Sequence, residues 1–146
     1  MISDLYTGGI LDAAAAIPAA QRLENPQATA KKISRVCGSE VEVDLSLEGG
    51  LVSAFGMTAR ACALGQASAS IVARNIIGAS PQELYALCDQ MRKMLKEEGA
   101  PPTGERWKDL SLLVSIRDYP QRHASTMLIF EAVCACLDQL GEAPKA

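Results

Sequence analysis

Cys37-Gly38-Ser39-Glu40-Val41-Glu42-Val43-Asp44-Leu45-Ser46-Leu47-Glu48-Gly49-Gly50-Leu51 is the stretch that decides the fold. Val41, Val43, Leu45 and Leu47 point one way, while Glu40, Glu42, Asp44 and Ser46 point the other. A period of two with one polar face is the pattern of a half-buried antiparallel strand. Gly49-Gly50 supplies the positive φ of a tight turn, and Leu51 to Met57 runs back as the next strand. On the other side the period changes from about Thr29, so that Ile33 and Arg35 lead into Cys37-Gly38-Ser39 as an earlier strand. The expectation is a three-stranded antiparallel meander.

Beyond the meander the pattern is helical. Ala61 to Ile77 is rich in Ala, Ser and Gly and stops at Gly78, a good residue just past a helix end. Small residues over four turns predict close packing, with the sheet as the expected neighbour. Ser80-Pro81-Gln82-Glu83 opens the next helix with Ser at the N-cap, Pro at the first position and Glu at the third. Leu84, Leu87, Cys88, Met91, Met94 and Leu95 form its apolar stripe. Gly99-Ala100-Pro101-Pro102-Thr103-Gly104 breaks the chain, Trp107 to Val114 reads as a short helix, and Pro120 introduces a last one reaching about Leu140. On the N-terminal side, Asp4 to Ala16 reads as a helix that ends before Pro18. The fold class is therefore α+β: one domain over residues 1–146, a three-stranded antiparallel sheet with helices packed on one face.

Composition narrows the function. Of the 146 residues 49% are apolar and 21% charged, as in an ordinary soluble domain, and the net charge of −3 opposes binding to nucleic acid. No run of 18 apolar residues predicts a membrane span, and Met1-Ile2-Ser3-Asp4 does not begin a secretory signal, so a cytoplasmic location is expected. The cysteines are Cys37, Cys62, Cys88, Cys134 and Cys136, an odd number with no CxxC pair. That spacing opposes a disulfide framework or a zinc ribbon, so a metal site has to be assembled from distant parts of the chain. Cys88, Cys134 and Cys136 read as core residues. Cys37 and Cys62 both fall at junctions at the end of the sheet, Cys62 where the small-residue helix begins and beside Arg60. There the positive end of a helix dipole favours a thiolate able to bind a soft metal or accept sulfur.

These segments, in this order, resemble the NifU-like, SufU-type iron–sulfur cluster scaffold proteins. Val36-Cys37-Gly38-Ser39 is similar to the family's Cys-Gly-Asp segment, and Ala59-Arg60-Ala61-Cys62-Ala63-Leu64-Gly65-Gln66-Ala67-Ser68-Ala69-Ser70 to its second-cysteine segment. Tyr119-Pro120-Gln121-Arg122-His123-Ala124-Ser125-Thr126-Met127-Leu128 is similar to the third, and Asp4-Leu5-Tyr6 with Ile10-Leu11-Asp12 to the opening helix. The long stretch from Cys62 to Ser125 is that of the SufU-type branch. The resemblance implies three cysteines and an aspartate converging at one end of the domain, where they hold zinc at rest and receive sulfur and iron during cluster assembly. Carried onto this chain, the first two cysteines are Cys37 and Cys62, the aspartate position is Ser39 and the third cysteine is Ser125.

Two alcohols in place of a thiolate and a carboxylate remove two formal negative charges, and serine cannot carry a persulfide. His123 is the remaining candidate ligand, two residues before Ser125; its other reading is a surface or capping histidine. The resemblance implies a scaffold or carrier that binds iron, zinc or an iron–sulfur cluster weakly through Cys37 and Cys62, helped by His123 or Ser125. Its partner would be a cysteine desulfurase, and a homo-oligomer is an option because a cluster bridging two copies needs only two cysteines from each. The alternative is a metal-free interaction or regulatory module that keeps the fold. An enzyme using Cys62 as nucleophile has little support, with one histidine in the chain and no acid evident beside it.

Overall fold

The computed structural model describes residues 8–18, 21–35 and 38–142. The alternating stretch forms strand β2 (Glu40–Glu48), flanked by β1 (Ala28–Ile33) and β3 (Leu51–Arg60). Both pairings are antiparallel and the order is β1-β2-β3. Val41, Val43 and Leu45 are buried on the inner face, with Val43 paired to Ala30 on one side and Met57 on the other. Gly49 and Gly50 turn the chain with φ of 60° and 79°, which a side chain would resist. The register shifts between Ser46 and Leu47, so Ser46 faces Ala54 and Leu47 faces Val52, with Ser53 as the extra residue of a bulge.

The helices cover the inner face. They are α1 (Gly8–Ala15), α2 (Ala63–Asn75), α3 (Pro81–Lys96) and α4 (His123–Gln139). The beginning of the expected first helix, Asp4-Leu5-Tyr6, lies outside the described residues. Helix α4 packs on β1 and β2, and α3 packs on α4. Helix α2 meets β3, as its small residues suggested, but it is also wedged between α1 and α4. Ala67 and Ala69 are fully buried there, and Ser68 donates its hydroxyl proton between the carbonyls of Gly65 (3.1 Å) and Thr126 (3.0 Å). A buried hydroxyl satisfied this way is compatible with tight helix packing.

Two expectations are corrected. The short helix expected over Trp107–Val114 is a 3₁₀ segment, Lys108–Asp118, followed by a 3₁₀ turn, Pro120–Arg122. The reason is spacing: Leu110, Leu113 and Ile116 recur every third residue and all are fully buried, which suits three residues per turn rather than 3.6. Asp44, on the polar face of β2, is buried rather than solvated. Residues 21–23 cross the outer face above it, and they can do so because its β3 partner is Gly56. A Cβ at Gly56 would lie 2.6 Å from the Gln21 carbonyl oxygen and 3.0 Å from the Leu23 nitrogen.

The N-cap of α3 is as expected: the Ser80 hydroxyl accepts from the Glu83 N–H at 3.1 Å. Glu83 Oε2 turns outward to the Trp107 indole N–H (2.6 Å) and the Arg106 guanidinium (3.0 Å), tying the cap to the 3₁₀ segment. Ser80→Ala should lower stability by about 1 kcal/mol, the usual cost of a lost cap. Chemical denaturation would measure this, and an unchanged midpoint would mean the cap contributes nothing.

Candidate functional site

One end of the sheet gathers Ser39, Arg60 and Cys62. Ile33 pairs with Glu40, and Glu40 pairs with Arg60, so the β1–β2 connection and the exit of β3 share that end. The connection is closed by two backbone hydrogen bonds of 2.8 Å, Ser34 N–H to Ser39 carbonyl and Gly38 N–H to Ser34 carbonyl, with Gly38 at φ 75°. Ser39 is buried beside it. Cys37 lies outside the described residues.

Two residues after Arg60, Cys62 is the N-cap of α2, in extended conformation (φ −65°, ψ 172°) and half-buried. Its carbonyl accepts the Gln66 N–H at 2.9 Å, so the backbone starts the helix and leaves the thiol unused as a cap. That thiol meets the first turn of α4, where Cys62 Sγ lies 3.6 Å from Ser125 Oγ. The chain brings the two together across 63 positions because α2 and α4 touch at a glycine. A Cβ on Gly65 would lie 3.2 Å from the Ser125 carbonyl oxygen and 2.7 Å from the Ala61 Cβ. Gly65 is thus the close-approach residue that sets the contact, a role its place among other small residues did not single out.

Ser125 is buried, and its hydroxyl also donates to the Arg122 carbonyl at 3.2 Å. The neighbouring Thr126 hydroxyl donates to the same carbonyl at 2.9 Å. The Arg122 carbonyl therefore keeps a donor even when the Ser125 proton turns toward Cys62. With a neutral thiol, the S–H points at Ser125 Oγ; with a thiolate, the Ser125 hydroxyl becomes the donor. The pair can serve either protonation state without leaving a polar group unsatisfied.

His123 is buried, not on the surface. Its Nε2 faces the carbonyls of Ile116 (3.0 Å) and Arg117 (3.2 Å), which fastens the 3₁₀ segment to the start of α4. A nitrogen between two carbonyl acceptors carries the proton, and a protonated nitrogen cannot ligate. Among the described residues, then, the structure joins Cys62 to Ser125, while the Nε2 of His123 is directed at the backbone. No group of three or more His, Cys, Asp or Glu side chains is arranged to hold a metal ion among the described residues. Arg60, beside Cys62, is largely exposed and reaches Glu40 at 3.9 Å.

A crystal structure of a nitrogen-fixing NifU-like protein (N-terminal) from Brucella abortus shares 45% identity with this chain, covering 98% of it and 99% of that chain, with a TM-score of 0.93. The chain belongs to the NifU-like family. The iron–sulfur cluster assembly scaffold protein IscU of Thermotoga maritima is 26% identical over 136 residues, 93% of this chain and 94% of that protein. A candidate scaffold protein for the SUF system from Fervidobacterium islandicum shares the fold at 19% identity, with a TM-score of 0.82 over 92% of this chain and 97% of that one. No profile of a known protein family matches the chain. Among the described residues, no helix of this NifU-like protein is long and apolar enough to cross a membrane.

Proposed function

We propose that this protein is a scaffold or carrier for iron–sulfur cluster assembly that holds its cargo at the Cys62 end of the sheet. Cys37 and Cys62 supply the thiolates, and Ser125 stands where a third sulfur would be most effective. The observation that supports the reading is the 3.6 Å contact between Cys62 Sγ and Ser125 Oγ, in which a side chain of α4 meets the thiol at the start of α2. Thiolate is the ligand preferred by iron in clusters and by zinc, and an alcohol is a poor substitute because it keeps its proton. Holding is therefore weak in one chain, which suits transfer. A second copy or a partner protein supplies the missing ligands, and a bridging cluster takes two cysteines from each copy. Sulfur reaches Cys37 or Cys62 from a cysteine desulfurase. His123 acts as a positioning residue for Ser125 through its bonds to Ile116 and Arg117, rather than as a ligand.

Anaerobic reconstitution with ferrous iron and either sulfide or a desulfurase with cysteine tests this. The wild type should retain iron and acid-labile sulfide after gel filtration, and Cys62→Ala should lose most of both. Equal, near-zero loading in the two proteins would end the proposal.

A further inference from the structure

We infer that Cys88 and Cys134 form a second thiol centre, separate from the sheet tip, which a peroxide converts to a disulfide joining α3 to α4. Cys88 sits on α3, buried, and Cys134 on α4, half-buried. The Cys134 sulfur lies 3.9 Å from the Leu84 carbonyl oxygen, one α3 turn before Cys88, so it rests against the turn of α3 that carries Cys88. On the solvent side the Arg92 guanidinium reaches Cys88 Sγ at 3.6 Å and also neighbours Asp89 at 3.8 Å. Two thiols on neighbouring helices of one seam, with a cation on one sulfur, are the parts of a nucleophile and its resolving partner.

The electrostatics divide the roles. The Cys134 S–H and the Arg92 guanidinium hold the Cys88 thiol below its ordinary value, against burial and the charge of Glu131. Cys134 is pushed up, by its bond to Cys88 first, then by burial and by the charge of Asp138. With the Arg92 cation 3.6 Å from its sulfur, Cys88 is the thiol that ionises. Its thiolate attacks one oxygen of the peroxide, the O–O bond breaks, and hydroxide leaves and is protonated to water. Cys88 is then a sulfenic acid. The Cys134 sulfur displaces its hydroxyl, the thiol proton completes a second water, and the S–S bond forms. Two thiols and one hydrogen peroxide become one disulfide and two waters, with two electrons passing to the peroxide. Because Ser125 is carried on α4, oxidation would fix that helix against α3 without touching Cys62. Cys136, two residues on, takes no part: it is buried with its thiol on the Val43 carbonyl (3.4 Å), and burial pushes it up to about 11.

The test is to expose the reduced, folded full chain to stoichiometric hydrogen peroxide, alkylate the remaining thiols and map the digest by mass spectrometry. A peptide joining Cys88 to Cys134 with loss of two hydrogens is expected, together with a higher thermal midpoint that dithiothreitol reverses. In Cys134→Ser, Cys88 should stop at the sulfenic acid and take up dimedone, and the midpoint should no longer rise. Cys88 and Cys134 both alkylated after a dose that consumes Cys62, or Cys88 joined to a different cysteine, would overturn the inference.

Discussion

Ser125→Cys should bind zinc about a hundredfold more tightly than the wild type. Four good ligands give a structural zinc site roughly 10–16 kcal/mol, so one added thiolate is worth about 3 kcal/mol. The geometry favours the gain. Sulfurs around tetrahedral zinc, with Zn–S bonds of ~2.3 Å, lie ~3.8 Å apart, and the Ser125 oxygen already stands 3.6 Å from the Cys62 sulfur. The Arg122 carbonyl that Ser125 now serves would keep its Thr126 donor, so the substitution strands no polar group. Competition against a chromophoric chelator under reducing conditions measures the change. A folded variant that binds no better than wild type would show that position 125 does not face the cargo.

Removing the guanidinium over Asp44 should be the most damaging single change outside the apolar core. The Asp44 side chain is 1% exposed and accepts from Arg22 Nε (2.5 Å), Arg22 Nη2 (2.7 Å), the Thr29 hydroxyl (2.7 Å) and the Leu23 N–H (3.0 Å). In Arg22→Ala the carboxylate stays buried with its countercharge gone, a change that costs several kcal/mol in a dry site. Because the Arg22 side chain is 39% exposed, solvent softens the loss. The expected destabilisation is about 2 kcal/mol, or ~6 °C in thermal midpoint.

The same network sets the acid limit. Arg22 first, then the Thr29 hydroxyl and the Leu23 amide, hold the Asp44 carboxyl below its usual range against the opposing effect of burial. A depressed carboxyl stabilises the fold above its unfolded value near pH ~4 and loses that contribution as pH falls through its lower folded value. Arg22→Ala should therefore begin acid unfolding at a higher pH than wild type. Coincident acid transitions in the two proteins would remove Arg22 from the account.

The inner face of β2, the double-glycine turn and the α3 cap were legible from residue types alone, because each depends on contacts within a few positions. The Lys108–Asp118 segment was less so: a period of three and a period of 3.6 hardly differ over one or two turns, and burial of Leu110, Leu113 and Ile116 chose between them. Asp44 looked solvated because nothing in its neighbours announces that Gln21 to Leu23, far back along the chain, cross over it at Gly56. His123 looked exposed for a similar reason, since its acceptors belong to a segment whose carbonyls only the folded chain orients.

The sequence by itself determined the order of strands and helices and the resemblance to the family, since pattern and residue identity are properties of the chain. Tertiary structure alone decided that Ser125 meets Cys62, that His123 turns to the backbone, and that the Cys134 sulfur rests on the Leu84 carbonyl of α3. Those contacts are fixed by how closely α2, α3 and α4 approach one another. That distance is set by packing at residues such as Gly65, where the space between helices depends on both partners at once.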